Sequence, residues 1–217
     1  MREPVKGTTE AGRRREARAR ATRLRIIQAG VRLFVDQGYA ATTVQAIAHQ
    51  AGVAPATIYQ AFGTKQSILA AALDLTIAGD DAPQAVLDRD WVARAHHEPD
   101  PRRQLRLVVE GACRIAARTA PLKEVMRDAA ATEPAARDLL RQDHQRRHRT
   151  QEGLVNLLLE RRRLRPGIDR RYAVDTFFAL VNSSTFELLV VRTGWTETQW
   201  QDWLVHLIEA ELFRPED

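Results

Sequence analysis

Apolar side chains recur along this chain with the spacing of amphipathic helices. Positions three and four apart form one stripe of a helix predicted from Thr22 to Gln37. The stripe consists of Ile26, Ile27, Gly30, Val31, Phe34 and Val35. Alternation of the strand type is almost absent, so the pattern predicts an all-α protein.

Glycines, prolines and threonines mark the ends of the first helices. Gly38 is expected to end the first helix in the left-handed conformation. Thr42 or Thr43 can cap a short second helix, which Gly52 should stop. Pro55 suits the first turn of a third short helix, where its missing N–H costs nothing.

The rest of the chain is also predicted to be helical. A longer helix should run from about residue 65 to 78, followed by a turn over 79–83. Further helices are predicted over 84–96, 101–118, 121–131, 134–164, 168–193 and 196–213. Asp169 and Thr196 are suited to cap the last two.

Charge is concentrated at the N-terminus. Residues 1–25 hold nine basic and three acidic side chains, whereas the net charge of all 217 residues is only +5. A cationic segment on a nearly neutral body favours a polyanionic partner, either nucleic acid or an anionic membrane surface. A merely solubilising tail is the plainer interpretation of this arm. The clusters at 146–147 and 161–163 are interpreted as solvated helix faces.

Composition narrows the class of protein. A content of 44% apolar residues excludes a disordered chain. The sequence contains no run of about 18 consecutive apolar residues, so no membrane span is predicted. We expect no secretory signal, because no apolar segment follows the basic N-terminus. The single cysteine, Cys113, suits a reducing compartment, and a cytoplasmic location is predicted.

Residues 38–65 carry the most informative pattern. Two short helices joined by the segment 50–53 form a helix-turn-helix. Ala48 is small where the helices must approach, and Gly52 can adopt the turn conformation. Ile47 and Val53 can pin the two helices together. In such a unit the second helix enters the major groove of DNA.

The residues of this segment resemble the DNA-binding domain of TetR family transcriptional regulators. The resemblance runs over roughly residues 22–70. It rests on Phe34, Gly38-Tyr39, Thr42-Thr43-Val44, Ile47-Ala48, Ala51-Gly52-Val53, Thr57-Ile58-Tyr59, Phe62 and Thr64-Lys65. It implies an N-terminal arm (1–19), a helix-turn-helix domain (20–66) and a helical ligand-binding and dimerisation domain (67–217). The arm is expected to be flexible.

The resemblance also implies roles for single residues. Thr43, Tyr59 and Lys65 match positions that contact DNA phosphates. Candidates for base contact are Ala54, Pro55, Ala56, Thr57 and Gln60, with Gln45 nearby. Gln60 suits adenine. Ala56 stands where the family often has glycine, so base preference is not carried over. Arg20 and Arg23 could reach the DNA backbone or the minor groove. Phe62 is expected in the core.

In the C-terminal domain the resemblance implies a homodimer and a small-molecule effector. The apolar positions assigned to the dimer interface are Phe177, Val181, Leu188, Trp200, Leu204, Leu207 and Ile208. Polar, aromatic or sulfur-containing candidates for the ligand site are Glu110, Cys113, Met126, His144, His148, Phe178, Asn182 and Glu187. His144 and His148 have a metal-ligand spacing, but no third ligand completes a set, so no metal and no cofactor are expected.

The function expected is that of a homodimeric repressor. It would bind double-stranded DNA at a near-palindromic operator and be released by a small molecule. Three alternatives remain open. The same head could be switched by a protein partner or not at all. An enzyme lacks support from any phosphate loop, nucleophile motif or metal set. A membrane-surface protein would need a bulkier apolar face on the first helix.

Overall fold

Ten α-helices and two short helical turns account for nearly all of the residues that the structure, a computed structural model, describes (10–79 and 85–214). The N-terminal helices are α1 (Glu10–Ala41), α2 (Val44–Ala51), α3 (Pro55–Phe62) and α4 (Lys65–Ala78). A 3₁₀ turn (Val86–Asp88), α5 (Asp90–His97), α6 (Pro101–Thr132) and α7 (Pro134–Leu159) follow. The last elements are α8 (Arg170–Leu180), α9 (Ser183–Phe186), a π-helical turn (Glu187–Arg192) and α10 (Glu197–Leu212). The all-α prediction is confirmed.

Capping residues set most of the boundaries where the sequence predicted them. The Thr43 hydroxyl accepts from the Ala46 amide at 3.0 Å and begins α2. Gly52 ends α2 in the left-handed region at φ 64°. Asp169 caps α8, and Thr196 begins α10 with a reciprocal capping box to Gln199.

The N-terminal segment is more helical than predicted. Helix α1 begins at Glu10 and not at Thr22, so residues 10–19 of the predicted arm are helical. This stretch is mostly alanine, arginine and glutamate, which favour helix, and Arg14 pairs with Glu10 one turn away at 2.6 Å. Residues 1–9 of the predicted arm lie outside the described residues. Gly38 interrupts the helix with a positive φ of 80°, but its ψ of 168° is not that of the left-handed helical conformation predicted for it.

The predicted helix boundaries in the C-terminal half are wrong at two places. Pro121 lies inside a single helix, α6, instead of separating two. Its ring is exposed, while Ala120 and Leu122 on either side are buried, so packing offsets the missing backbone hydrogen bond. Conversely, the helix predicted over 168–193 breaks at Val181, whose ψ of 81° is not helical, and Asn182 caps the next turn.

The chain divides into two compact units, Met1–Ala72 and Leu73–Asp217. This boundary lies six residues beyond the one predicted at 66/67, because the first half of α4 packs in the N-terminal unit. Ile68 is fully buried there. A Cβ added at Gly30 of α1 would lie only 2.8 Å from its Cγ2, so the glycine permits this close approach.

The core of the C-terminal unit is formed by side chains of α5, α6, α7, α8 and α10. Trp200 and Phe177 are its largest fully buried members. Gly111 of α6 lies against the ring of Trp91 of α5 so closely that any added Cβ would clash.

No single helix within residues 10–79 and 85–214 has both the length and the apolar composition of a membrane span. Helix α8 and the segment Ser183–Arg192 have that length and composition only when they are taken together, and this pair is bent.

Candidate nucleic-acid interface and ligand cavity

The helix-turn-helix has the predicted core and the predicted exposed face. Ile47 and Ala48 of α2 and Ile58 and Phe62 of α3 are buried, which confirms the core position of Phe62. The turn is closed by the amide of Val53, which donates to the Ala48 carbonyl at 3.0 Å. The geometry of α2 and α3 is therefore fixed by packing on one side and leaves the other side free for recognition.

The candidate base-contacting residues gather at the start of α3. Ala54, Pro55, Ala56 and Gln60 are exposed, and Thr57 is half-buried. Ala54 provides no side-chain hydrogen bond to cap the N-terminal end of α3. Because helix N-termini attract anions, this end can approach a phosphate backbone.

The candidate phosphate contacts surround this face. Tyr59 is 52% exposed, which is unusual for a large aromatic side chain in a packed domain. Thr43 and Gln45, at the start of α2, are exposed as well. A hydroxyl, a phenol and an amide are thus accessible for hydrogen bonds to phosphate oxygens.

Two of the predicted cationic contacts also hold the unit together. The Lys65 ammonium donates to the Tyr39 carbonyl at 2.8 Å and lies 3.9 Å from the centre of the Tyr39 ring. Arg23 donates to the Ala61 carbonyl at 3.0 Å and stacks on Phe62. Arg20 is exposed on α1. The sequence showed the charge of Arg23 and Lys65 but not these contacts, which connect residues far apart in the chain.

A cavity of about 350 Å³ lies inside the C-terminal unit. Its wall comes from α4, α6, α7 and the junction of α8 with α9. The apolar part of the wall is formed by Ile77, Ala78, Ala85, Val86, Ala112, Ile115, Ala116, Leu154 and Val181. The polar part is formed by Asp74, Thr119, Lys123, Asp143, Arg146, Arg147, Thr150, Gln151, Asn182 and Ser183.

Of the ligand candidates chosen from the sequence, only Asn182 lines this cavity. Glu110, Cys113, Met126 and Glu187 do not line it. Cys113 and Met126 are buried in the unit, and burial raises the pKa of the Cys113 thiol to about 12. Such a thiol is protonated at neutral pH and unreactive.

The two candidate histidines also lie outside the cavity wall. His148 contacts Asp175 at 3.0 Å. His144 and His148 both pack on the Phe178 ring. Among the described residues no three potential metal ligands come together.

The cavity residues that sequence reasoning missed are a buried ionic cluster. Lys123 of α6 pairs with Asp143 of α7 at 3.0 Å, and both side chains are buried. Burial lowers the pKa of Lys123. The sequence interpretation placed Arg147 and Arg162 in solvent. Arg147 is instead half-buried on Phe178, and Arg162 is buried against Glu209. Lys123 stands close to Leu122 and Val125, which was a signal available in the sequence, whereas Asp143 and Arg147 stand among polar residues and gave none.

The predicted dimer residues need a similar correction. Phe177, Val181, Trp200, Leu204 and Ile208 are buried within the subunit's own core and have no face to offer a partner. The apolar pattern of α8 and α10 was correctly recognised, but these helices pack within the subunit, α8 against α7 and α10, and α10 also against α6. Leu188 remains 55% exposed, with Val191 beside it at 59%, and Leu207 is half-buried.

Comparisons with known proteins agree with this geometry. Residues 26–72 match the family described as "Bacterial regulatory proteins, tetR family". The chain is 36% identical over 84 residues to TtgW, an uncharacterized HTH-type transcriptional regulator of Pseudomonas putida, covering 37% of this chain and 63% of TtgW. The matched segments span from 18% to 63% of the length of the curated relatives.

Two solved structures show the same fold over most of the chain. One is NalD, the secondary repressor of the MexAB-OprM multidrug efflux pump in Pseudomonas aeruginosa (TM-score 0.67, 19% identity, 91% of this chain and 100% of that chain). The other is the regulator FadR from Bacillus subtilis in complex with stearoyl-CoA (TM-score 0.66, 19% identity, 85% and 96%).

Proposed function

We propose that this chain is a sequence-specific DNA-binding transcriptional regulator of the TetR family, because residues 26–72 match that family and the curated relatives that share this region are HTH-type transcriptional regulators. In this proposal it acts as a cytoplasmic homodimeric repressor that a small molecule releases from a near-palindromic operator. The observation that carries the proposal is the exposed face of α3 on a packed helix-turn-helix, with Thr57, Tyr59 and Gln60 arranged for a major groove.

Base preference and general affinity would come from different residues. Gln60 can make two hydrogen bonds to adenine, while Tyr59 and Thr43 would hold the phosphates. Lys65 would add one charge at the start of α4 while remaining bonded to Tyr39. The exposed arginines of α1, such as Arg20, would add attraction that depends on salt but carries no sequence information.

The cavity supports regulation by a small molecule. Its volume of about 350 Å³ falls within the range of ligand pockets, and a mainly apolar wall with a few polar groups is typical of them. A protein switched only by a partner protein would need no such space. Dimerisation would use the accessible apolar side chains near the π-helical turn, including Leu188 and Val191.

Selection of bound genomic DNA fragments with the purified protein tests the proposal. The fragments should share a near-palindrome with two half-sites. Tyr59→Phe should weaken binding to all fragments, because it removes a phosphate contact. Gln60→Ala, the adjacent control, should relax preference at one base pair per half-site by about 1–3 kcal/mol.

Two results would contradict the proposal. Binding that only depends on salt and not on sequence would exclude a specific regulator. Equal affinity of an identified ligand for the free and the operator-bound protein would exclude release by that ligand.

A further inference from the structure

Two adjacent arginines on the cavity wall differ in their surroundings. Arg146 pairs with Asp74 at 2.7 Å, and its side chain is 43% exposed. Arg147 points its guanidinium onto the Phe178 ring, 3.6 Å from the ring centre, and is half-buried. The charge of Arg146 is therefore compensated by a neighbouring carboxylate. The position of Arg147 requires a different explanation, because it lies on an aromatic ring.

Arg147 is held rigidly but is only partly bonded. Its Nη1 donates to the carbonyls of Phe178 and Val181, at 3.1 and 3.2 Å. Within the described part of the chain, its Nε and Nη2 donate to no partner, and it forms no ion pair. A guanidinium fixed by stacking and one nitrogen leaves a fork of donors that fits a carboxylate.

The other buried charges near Arg147 do not neutralise it. Asp143 already pairs with Lys123 at 3.0 Å, so one carboxylate serves two cations in this cluster. Burial lowers the pKa of Arg147 to about 10, because Asp143 opposes the desolvation of the guanidinium only in part. An anion in the cavity would restore the balance.

A second buried group beside Arg147 is also incompletely bonded. Gln151 donates through Nε2 to the same Val181 carbonyl, at 2.9 Å. Its Oε1 is buried and has no hydrogen-bond partner among the described residues. Buried polar atoms are rarely left in this state, so the polar end of the cavity is incomplete without a ligand.

We propose that the cavity binds an organic monoanion with an apolar body, whose carboxylate pairs with Arg147. This inference rests on the proposed regulatory function and names the chemical class of its effector. The aliphatic wall formed by side chains such as Ile115 and Leu154 receives the apolar body. Lys123 and Arg147 disfavour a cationic ligand, because the only carboxylate paired with Lys123 among the described residues is Asp143 and no further carboxylate is left for an added cation.

Binding of matched probes to the full chain tests the charge preference. Decanoate, decanol and decylamine share an alkyl chain, and 2-naphthoate and 2-naphthol share a ring system. Calorimetry without DNA should give the carboxylates about 10- to 100-fold lower Kd values than the alcohols, since hydrogen bonds to charged groups are the stronger ones. Decylamine should bind more weakly than decanol. Equal or tighter binding of the alcohols or the amine, or no binding of either carboxylate, overturns the proposal.

Two neighbouring variants locate the anion. Arg147→Met keeps an apolar stem on Phe178 and should abolish the preference for carboxylates while decanol still binds. Arg146→Met, the matched control, should keep the preference. Persistence of the preference in Arg147→Met overturns the proposal. If Arg147→Met fails to fold, Arg147→Lys, which keeps the charge but not the fork, should reduce the preference; an unchanged preference in Arg147→Lys overturns the proposal as well.

DNA binding is measured separately on operator fragments. Carboxylates that bind without releasing the operator would contradict the proposed repressor mechanism and leave the anion site supported. Absence of a carboxylate preference in a protein that binds its operator would overturn the anion site alone.

Discussion

The two units of the molecule place their polar functional side chains in opposite environments. In the N-terminal unit, Gln60 and Tyr59 lie on the surface of a small packed domain. In the C-terminal unit, Lys123 and Asp143 are buried in the wall of a cavity. Polar groups on the surface cost little folding free energy without a bound partner, because water forms hydrogen bonds with them. Buried groups must be satisfied by one another or by a ligand.

This difference determines how each site can change. A recognition surface can exchange Gln60 for another polar residue with little effect on folding, since few neighbours depend on it. In the cavity cluster a substitution of Lys123 or Asp143 also changes stability, because each of these two charges compensates the other. The proposed DNA specificity is therefore open to alteration one residue at a time, and the proposed ligand specificity is not.

The largest effect is expected from breaking the buried ion pair. Lys123→Met leaves Asp143, which is 1% exposed, without a cation in contact. The free energy of unfolding of the C-terminal unit should fall by about 3–5 kcal/mol. All four tryptophans of the chain, Trp91, Trp195, Trp200 and Trp203, lie in this unit, so their fluorescence during urea unfolding reports on it.

A double variant separates the cost of an unpaired buried charge from the loss of the ion pair itself. Lys123→Met combined with Asp143→Leu removes both charges and should recover most of the lost stability. A Lys123→Met variant as stable as the native chain would mean that water reaches Asp143, and the contrast between the two units would then disappear.

The same contrast explains how far the sequence could lead. In the N-terminal unit, the boundaries of α2 depend on residues within a few positions. Thr43 caps the helix that follows it, and Gly52 ends it, so the order of residues was sufficient. Local rules also placed Asp169 and Thr196 at helix starts in the C-terminal unit.

The cavity could not be predicted in this way. Lys123 meets Asp143, 20 positions away, and Arg147 meets Phe178, 31 positions away, only after the helices pack. A surface arginine and a buried one look identical in a single sequence. The uninterrupted course of α6 through Pro121 is a similar case, since burial on both sides of the proline decides it.

A smaller effect is expected from removing a surface cap in the N-terminal unit. Thr43→Ala deletes the hydroxyl that accepts from the Ala46 amide, at a cost of about 0.5–2 kcal/mol. Hydrogen exchange of the α2 amides should become faster, while tryptophan fluorescence during unfolding stays unchanged. Thr43→Ser, which keeps the hydroxyl, should restore the exchange rates. Unchanged exchange in Thr43→Ala would show that packing alone holds α2.

The smallest expected effect concerns pH and the exposed edge of the C-terminal cluster. Burial against Phe178 and the nearby charge of Arg147 lower the pKa of His144 below its ordinary value of 6.5. The unfolded chain therefore binds this proton at a higher pH than the folded chain does. The stabilising contribution of neutral His144 is complete above pH 6.5 and is lost as the pH falls from there through the lower, folded-state pKa.

His144→Phe isolates this contribution from the other histidines of the unit. It keeps a ring against Phe178 but carries no proton, so the decline in unfolding free energy between pH 7 and 5 should be shallower than in the native chain. Tryptophan fluorescence follows both proteins under the same conditions. A steeper decline in the variant would mean that Asp143 stabilises the protonated ring more than burial and Arg147 oppose it. The cluster would then tolerate an added positive charge, which is the reverse of what an uncompensated Arg147 requires.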